Sequence, residues 1–462
     1  MESAPLMLSV SGARGIVGRS MTPEVAARFA AAFGSWLLEQ ADDRSPRVCI
    51  GRDGRASGDQ IGRGAIEGLT ACGCDVIDLG VVTTPTTGLM ISTLGCDGGM
   101  CITASHNPIQ WNGLKCLDRD GVAPPPAIAD TIIERFRRSE GDELESTRAG
   151  TCTTDSTATE AHVQRVKEAV DIDSIRSAGF TVVLDSVNAS GSEGGRRLME
   201  TLGVGLVHLN SQVSGEFAHT PEPIRENLGS LCEATADDER AHCGFAQDPD
   251  ADRLAIVDEN GMYIGEEYTL VIAAMSALRL WGPTVLATNL STSRMIDDVA
   301  ALHPGARVQR TAVGEANVVE AIKRDKGHLG GEGNGGVILP RVCFVRDSLS
   351  SMALVLDHMA ATGLSISELV GSVPSYSMIK TKLQYDPAGD DMVQRMLDDV
   401  AIAFKDAQVD RTDGVRIDLE QGWVHLRASN TEPVIRLIAE ATSTTEAEAL
   451  RDRVAEVAGL GS

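Results

Sequence analysis

The sequence predicts an α/β protein of several domains, and three observations lead to that fold class. Short β-rich runs alternate with longer helical patterns over most of the chain, as in parallel α/β units. A strand that ends in a turn of small polar residues and opens a helix recurs at 47–58, 180–191 and 284–293, which indicates a repeated unit. The 462 residues exceed one compact core, since domains average roughly 150 residues. We therefore predict three related α/β domains and a smaller C-terminal α+β domain.

The first helix and strand show how local residues support this pattern. Thr22 is a good helix N-cap, and Pro23 follows at the first helical position, where its missing N–H costs nothing. The helical pattern continues to about residue 40, and the run RVCIG from Arg47 predicts the next strand. An α/β repeat thus begins near the N-terminus.

Polar and turn-forming stretches place the boundaries between the domains. Candidate linkers lie at 141–157, after the turn at 258–261, and near 371–376, where a proline-containing stretch interrupts the helical pattern. The C-terminal segment differs in character, with a strand–turn–strand pattern from Gly414 and a closing helix from Thr445. We predict domains at 1–155, 156–261, 262–372 and 373–462.

Composition excludes several classes of function. The 66 acidic residues outnumber the 41 basic ones and give a net charge of −25, so nucleic acid and anionic membranes are repelled. Hydrophobic residues make up 42% and charged residues 23%, as in a globular chain and not a disordered one. The longest apolar stretch, 268–281, is short and contains Arg279, which predicts a buried helix instead of a membrane span.

The predicted compartment is the cytoplasm. The N-terminus lacks the basic and apolar regions of a signal peptide, and the ten cysteines include no CxxC pair, which favours free buried thiols. We expect no nucleic-acid or membrane partner. An anionic substrate would require the basic residues to be concentrated locally.

Ser105 lies in the first of four polar loops that suggest chemistry. It follows a small, apolar run and precedes His106, Asn107 and Pro108. A hydroxyl in this setting is a candidate nucleophile if a neighbouring group activates it, although an ordinary turn has the same residue types. Lys115, ten residues on, is a candidate proton donor or phosphate contact.

Three aspartates form the second loop. Asp248, Asp250 and Asp252 alternate along a segment that we expect to be extended, so that their carboxylates converge as hard-oxygen ligands for Mg²⁺. Arg253 occupies the position at which an EF-hand loop requires glycine, which excludes that motif. The alternative is a solvated acidic turn, in which Arg253 neutralises the carboxylates instead of reaching a metal-bound phosphate.

Glycines dominate the third loop, 330–340, where five of them surround Glu332 and Asn334. The loop lacks the lysine and hydroxyl of a Walker motif, and its spacing does not fit a dinucleotide site. Carboxylate and amide side chains suit sugar hydroxyls, while a flexible glycine turn remains the alternative.

A phosphate cradle is predicted for the fourth loop, 427–436. Guanidinium, hydroxyl and amide groups lie within one turn and supply local positive charge to an acidic chain. The alternative is a surface turn with paired charges. The candidate ligands are Arg427, Ser429, Asn430, Thr431 and Arg436.

In this order, the motifs TASHNP, DPDADR, GGEGNGG and RASNTEP resemble those of the α-D-phosphohexomutase superfamily. The segments SGARGIVG, GRDGRASG, HTPEPIRENL and RDSLSSMALVL resemble further parts of that family, so the similarity covers nearly the whole chain. The resemblance implies four domains around a central active-site cleft. It also implies interconversion of hexose 6-phosphate and hexose 1-phosphate through a phosphoserine and a 1,6-bisphosphate intermediate.

The resemblance further implies a role for each candidate residue. Ser105 would be the phosphoserine, and the three aspartates with one of its phosphate oxygens would hold one Mg²⁺ per chain. A hexose 1,6-bisphosphate would act as activator. Lys115 would be the general acid/base, assisted by Arg14 and Arg253. The residues expected to bind the phosphosugar are His106, Glu332, Asn334, Arg427, Ser429, Asn430, Thr431 and Arg436.

Departures from the family pattern bear on the sugar. Asn334 and Gly336 replace a serine and a histidine of a common GExSGH loop, and Glu315 stands where a histidine can occur. Because neither loop supplies a histidine as acid/base, proton transfer is left to Lys115 or to water. The segments VGEANVV, HTPEPIRENL and GEEYTL are similar to archaeal-type phosphoglucosamine mutases. We expect a monomeric or homodimeric enzyme acting on glucosamine phosphates, with phosphomannomutase/phosphoglucomutase activity as the alternative. A metal-dependent sugar phosphatase and a silent sugar-phosphate binding protein are alternatives from other classes.

Overall fold

The computed structural model describes residues 5–41, 44–138, 149–384, 390–428 and 434–460. The chain forms two compact units. Unit 1 consists of Met1–Gly282 and Asn334–Leu369, and unit 2 consists of Pro283–Gly333 and Val370–Ser462.

Unit 1 begins with a seven-stranded sheet in the order β1-β2-β6-β5-β3-β4-β7. Strands β3, β4, β5 and β7 run parallel, whereas β1, β2 and β6 pair antiparallel. The Thr22 side chain caps the first helix by accepting the Val25 N–H at 3.3 Å, as the sequence predicts. The elements are β1 Met7–Ser9, β2 Gly12–Ile16, α1 Pro23–Glu39, β3 Arg47–Arg52, α2 Gly58–Ala71, β4 Asp75–Val81, α3 Thr84–Leu94, β5 Gly98–Ile102, β6 Trp111–Leu117, α4 Pro126–Arg138 and β7 Cys152–Thr154.

A second sheet of unit 1 has the order β11-β10-β8-β9, with β8, β9 and β10 parallel and β11 antiparallel to β10. The apolar stretch at 268–281 lies in a largely buried helix, α9, as expected. The elements are α5 Ala158–Lys167, α6 Ile172–Ala178, β8 Thr181–Asp185, α7 Gly191–Leu202, β9 Gly205–Leu209, a 3₁₀ turn Arg225–Asn227, α8 Gly229–Asp237, β10 Cys243–Gln247, β11 Leu254–Val257 and α9 Glu267–Trp281.

The third α/β segment begins in unit 2, where β12 pairs in parallel with β13 and β14. Its elements there are β12 Val285–Asn289, α10 Met295–Ala301, β13 Arg307–Thr311, α11 Glu315–Asp325 and β14 Leu329–Glu332. The chain then continues through β15 Gly336–Ile338, α12 Ser348–Thr362 and α13 Ile366–Gly371.

Unit 2 ends in a five-stranded antiparallel sheet, in the order β16-β20-β19-β18-β17. Buried side chains of α14 and α15 pack on this sheet and form a separate core. The elements are β16 Ser377–Gln384, α14 Asp390–Ala403, β17 Gln408–Asp410, β18 Val415–Asp418, β19 Gly422–Ala428, β20 Val434–Ala441 and α15 Thr444–Val457.

The predicted fold class is confirmed. The three repeated sequence stretches form β3–α2, β8–α7 and β12–α10, each a strand, a polar turn and a helix, and the C-terminal segment is α+β. All ten cysteines are free, and eight of them are buried. Among the described helices, none is long and apolar enough to cross a bilayer.

Helices α1 and α2 approach so closely that glycine is required between them. A Cβ at Gly68 would overlap the carbonyl oxygen of Ala27, which is backbone and cannot rotate away. We predict that Gly68→Ala lowers the free energy of unfolding by about 2 kcal/mol, because the overlap outweighs the higher helix propensity of alanine. Urea unfolding followed by circular dichroism measures the change.

Gly62→Ala is the matched control in the same helix, because its Cβ would lie 3.8 Å from Ile102 Cγ1, an ordinary contact. We expect this variant to gain up to about 1 kcal/mol from helix propensity. Equal effects of the two substitutions would contradict the close approach of the helices.

Candidate active site

Ser105 lies in a turn just after β5, with its hydroxyl inside unit 1. Its backbone has φ of 51°, a left-handed value that is uncommon for a residue with a side chain. Its exposed fraction is only 6%. Ser105 Oγ lies 3.3 Å from His106 Nδ1 and 3.4 Å from Asp248 Oδ2. The fold therefore brings the candidate nucleophile to the first aspartate of the triplet.

A buried ion pair holds the backbone of Ser105 in this conformation. Asp53 Oδ2 and Arg55 Nε are 2.9 Å apart, and both side chains are almost completely buried. Thr103 Oγ1 donates to Asp53 at 2.6 Å and accepts the Ser105 N–H at 2.9 Å. Arg55 Nη2 donates to the Ser105 carbonyl oxygen at 2.6 Å. One ion pair thus fixes both peptide groups of Ser105.

All five N–H donors of Arg55 have acceptors. Besides Asp53 and Ser105, the guanidinium donates to the carbonyl oxygens of Asn107 at 2.8 Å, Pro108 at 2.8 Å and Trp111 at 2.9 Å. The loop after β5 is therefore folded around one guanidinium. The charged residues of the segment GRDGRASG were not among the predicted site residues. Two opposite charges two residues apart, directly after a buried strand, are the signal that points to them.

The three aspartates converge by a mechanism different from the expected one. Residues 248–253 are not an extended segment but a turn between β10 and β11, in which Ala251 has φ of 53°. This turn directs Asp248, Asp250 and Asp252 inward, and one oxygen from each lies within 4.8 Å of the others. All three side chains are buried, so the solvated acidic turn is wrong.

The donor set fits a hard divalent cation. Burial, together with the charge of Asp252, raises the pKa of both Asp248 and Asp250. Asp250 Oδ2 accepts the Thr84 hydroxyl at 2.7 Å, whereas Oδ1 of Asp250 and Oδ1 of Asp252 are buried with no hydrogen-bond partner in the described structure. Carboxylate oxygens left in this state are suited to Mg²⁺, which prefers oxygen ligands.

Basic side chains surround the aspartates, as an anionic substrate requires. Arg346 Nη2 lies 2.5 Å from Asp252 Oδ2, and Arg253 Nε lies 3.9 Å from Asp252 Oδ1. Burial raises the pKa of Asp252, but the charges of Arg346 and Lys115 outweigh it and lower this pKa. Burial lowers the pKa of Arg14, while Asp250 and Asp252 act in the opposite direction. Arg346, which was not among the predicted site residues, completes the positive cluster.

His106 is a neutral imidazole near pH 7. Burial, together with the charges of Arg253 and Arg14, lowers its pKa to about 3. A neutral ring donates one hydrogen bond and accepts another, which suits a hydroxyl group better than a phosphate. Its Nε2 lies 3.9 Å from Glu222 Oε1.

In unit 2, Glu332 ends β14 and is 5% exposed. Its Oε1 accepts Asn289 Nδ2–H at 2.8 Å and the Gly314 N–H at 3.2 Å, so neighbouring loops fix the carboxylate. Asn334 belongs to unit 1, where its Oδ1 accepts the Gly336 N–H at 3.3 Å.

Arg427 and Arg436 face each other across neighbouring strands. The register of β19 and β20 pairs their Cα atoms, so both side chains leave the same face of the sheet. Like charges in this position are destabilising unless an anion or a carboxylate balances them. Arg427 Nε donates to Asp413 Oδ2 at 3.1 Å. Three further candidates lie outside the described residues: Ser429, Asn430 and Thr431.

Four profiles of one family match the chain in order. They are phosphoglucomutase/phosphomannomutase alpha/beta/alpha domain I over 7–143, domain II over 160–261, domain III over 265–376 and the C-terminal domain over 391–457. The chain therefore belongs to the phosphoglucomutase/phosphomannomutase family and is a phosphohexomutase. The resemblance found in the sequence is confirmed.

Similar proteins span nearly the whole chain. A Thermococcus kodakarensis protein named phosphoglucomutase/phosphomannomutase is 36% identical over 442 residues, with 94% of each chain covered. A Methanopyrus kandleri protein named "probable phosphoglucosamine mutase" is 35% identical over 449 residues, with 97% of this chain and 96% of that one covered. The crystal structure of a phosphoglucomutase/phosphomannomutase family protein from Burkholderia thailandensis matches with a TM-score of 0.85 and 26% identity, over 99% of both chains.

We predict that Arg55→Lys loosens the loop that carries Ser105. Lysine has three donors on a single nitrogen and does not reach four backbone carbonyls and Asp53 together. The lost bonds should lower the free energy of unfolding by about 3 kcal/mol and the mutase kcat by about a hundredfold. Urea unfolding and steady-state kinetics measure the two effects.

Arg52→Lys is the control within the same motif. Arg52 is partly exposed and pairs only with the side chains of Asp59 and Asp78 among described residues. We expect both parameters to stay near those of the wild type. Arg55→Lys behaving like this control would contradict the role of the ion pair.

Proposed function

We propose that the protein interconverts hexose 6-phosphate and hexose 1-phosphate through phospho-Ser105, with glucosamine phosphates as the preferred pair. The observation that carries this proposal is the position of Ser105 Oγ, buried 3.4 Å from Asp248 in a triplet of metal-competent carboxylates. Membership of the phosphoglucomutase/phosphomannomutase family supports the same reaction.

Ser105 would pass its phosphoryl group to the substrate. The free sugar hydroxyl attacks phosphorus, the bond from phosphorus to Ser105 Oγ breaks, and a hexose 1,6-bisphosphate forms. After the bisphosphate reorients, its other phosphoryl group returns to Ser105, so no phosphate is consumed. Added 1,6-bisphosphate would serve as activator by phosphorylating Ser105 that has lost its phosphate.

The neighbours of Ser105 would stabilise charge and move the proton. Asp248, Asp250 and Asp252 would hold Mg²⁺, which when bound neutralises charge on the transferred group. Arg14 and Arg253 would bind the same phosphoryl oxygens, since guanidinium groups match phosphate geometry. Lys115 would take the proton of the attacking hydroxyl and return it in the second transfer.

A second group of residues would bind the end of the substrate that does not react. Arg427 and Arg436, together with Ser429, Asn430 and Thr431, would hold the distal phosphate. Glu332 would accept hydrogen bonds from sugar hydroxyls, and His106 and Asn334 are proposed as further residues that contact the sugar. The two phosphates exchange roles in each cycle, so this site must bind either one.

The choice of sugar rests on the relatives and on Glu315. The Methanopyrus kandleri relative carries the name of a phosphoglucosamine mutase, and the carboxylate of Glu315 at the start of α11 suits a protonated 2-amino group. The name of the Thermococcus kodakarensis relative favours glucose or mannose phosphates as the alternative.

We also propose the domain boundaries 155/156, 261/262 and 372/373. Each lies between secondary-structure elements: after β7, between β11 and α9, and between α13 and β16. A cut at these positions interrupts no helix or strand.

We predict that Ser105→Ala abolishes isomerisation and removes one phosphate from the intact mass of the active protein. The free energy of unfolding should change by less than about 1 kcal/mol, because the hydroxyl makes only long hydrogen bonds. Ser211→Ala, an exposed serine, is the control and should keep full activity.

Coupled assays with glucosamine, glucose and mannose 6-phosphates give kcat/KM for each sugar, and an assay for inorganic phosphate detects hydrolysis. An active Ser105→Ala enzyme would falsify the phosphoserine. Inorganic phosphate released in place of the isomer would indicate a phosphatase.

Removal of one carboxylate of the triplet should stabilise the protein without metal but weaken its binding of Mg²⁺. In chelator, Asp250→Asn should raise Tm, because it removes a buried carboxylate that repels Asp248 and Asp252. With Mg²⁺, the affinity measured by calorimetry should fall at least about tenfold, and the rise in Tm on adding Mg²⁺ should shrink.

Asp237→Asn makes the same change of charge at an exposed position. We expect it to bind Mg²⁺ as the wild type does. Equal Mg²⁺ affinity in the two variants would argue against a metal site at the triplet.

A further inference from the structure

A turn of unit 2 lies directly against the strand that carries Arg427. The turn joins β17 to β18, and its Gly414 has φ of 68°. A Cβ at Gly414 would lie 2.9 Å from the Cα of Arg427 and would overlap the carbonyl oxygen of Leu426. Backbone packing therefore holds the preceding residue, Asp413, beside Arg427. Asp413 was not among the predicted site residues.

The carboxylate of Asp413 binds two partners with one oxygen. Oδ2 accepts Nε–H of Arg427 at 3.1 Å and the backbone N–H of Val313 at 3.0 Å. The side chains of Asp413 and Arg427 are 17% and 6% exposed, so water competes little for these bonds. A bond to Nε sets the plane of the guanidinium and uses one of its five donors.

Val313 begins a backbone path from Asp413 to Glu332. The next N–H along the chain, that of Gly314, donates to Glu332 Oε1 at 3.2 Å. Two successive amides therefore bind two different carboxylates. Gly314 has φ of 127°, a value that only glycine adopts readily, and this backbone conformation accompanies the two divergent bonds.

A second path joins the backbone carbonyl of Asp413 to the Glu332 carboxylate through His425. Burial lowers the pKa of His425 to about 4, so the ring is neutral at pH 7. Its Nε2 donates to the Asp413 carbonyl oxygen at 2.6 Å, which leaves Nδ1 to accept the Ser291 hydroxyl at 2.9 Å. Ser291 N–H then donates to Asn289 Oδ1 at 2.8 Å, and Asn289 Nδ2 donates to Glu332 Oε1 at 2.8 Å.

The two paths close a ring of hydrogen bonds between Asp413 and Glu332 that lies wholly within unit 2. On the basis of the proposed function, we infer that Asp413 is a positioning residue that orients the Arg427 guanidinium and ties it to Glu332. The distal phosphate and the sugar hydroxyls then meet their ligands at one fixed spacing. A mutase needs that spacing in both orientations of its substrate, so the ring acts twice in each cycle.

Charge and geometry predict opposite effects of removing this carboxylate. Asp413→Asn removes a negative charge beside a site for phosphate, so electrostatics alone predicts tighter binding. The same change weakens the charge-assisted bond to Arg427 Nε and lets the guanidinium turn, which predicts weaker binding. The sign of the effect therefore distinguishes positioning from charge.

The test measures binding in the Ser105→Ala protein, in which turnover is prevented. Calorimetry gives Kd for glucosamine 6-phosphate and for glucosamine 1-phosphate. We expect Asp413→Asn to raise the Kd of both esters about tenfold. Asp410→Asn is the matched control, because it makes the same change of charge in the same hairpin, where Asp410 accepts the Thr412 N–H at 2.8 Å. We expect this control to bind within about twofold of the parent, or more tightly.

A double-mutant cycle separates positioning from a general structural role. The ring predicts that the effects of Asp413→Asn and Glu332→Gln on Kd are not independent. The double variant should raise Kd by a factor at least about threefold smaller than the product of the two single factors. Asp413→Glu keeps the charge but displaces the carboxylate by one methylene, and it should also weaken the binding of both esters. This variant decides the question if Asp413→Asn does not fold.

Three outcomes would overturn the inference. The first is unchanged or tighter binding of the esters by the folded Asp413 variant. The second is weaker binding of only one ester. The third is a double variant whose change in Kd equals the product of the two single changes. A parent that binds neither ester would overturn the proposed function and the positioning role together. A parent that binds both, with an Asp413 variant that matches it, would overturn the positioning role alone.

Discussion

The structure of unit 1 depends on three carboxylates buried within 4.8 Å of one another. Burial of like charges is strongly unfavourable, and a chain of net charge −25 has few basic residues to spare. Those it has are concentrated here, with Arg346 and Arg253 against Asp252 and with Lys115 acting on the same carboxyl group. Opposite charges in a buried site suit the binding of a cation and a phosphate together. The arrangement favours ligand binding at the expense of stability.

A second constraint is the precise position of the Ser105 hydroxyl. A left-handed serine costs free energy, and the surroundings must therefore determine its conformation. Asp53 and Arg55 do so through hydrogen bonds to backbone groups, since they bind the carbonyl of Ser105 directly and its N–H through Thr103. A buried ion pair contributes little net stability. Its contribution here is one defined position for the hydroxyl.

Unit 2 contains a similar arrangement of an acid, an arginine and backbone amides. The Asp413 carboxylate joins a guanidinium to a backbone amide, and the adjacent amide binds Glu332. In both units a buried acid orients an arginine, and backbone groups hold the acid and arginine in place. Rigid backbone groups transmit position better than long side chains do, because they have fewer rotatable bonds. Phosphoryl transfer requires such fixed positions, because the attacking and leaving oxygens must be held in line with phosphorus.

The sequence by itself determined the fold class, the order of the strand–turn–helix repeats and the chemical character of four loops. These follow from local residue types, as with the Thr22 cap or the three closely spaced aspartates. Only the tertiary structure decided which distant groups meet. Arg55 reaches a loop about fifty residues away, and Asp413 binds the amide of Val313, 100 residues earlier. The turn at Ala251, and not an alternating strand, directs the aspartates inward. Such contacts depend on how sheets and loops pack in space, and spacing along the chain does not encode them.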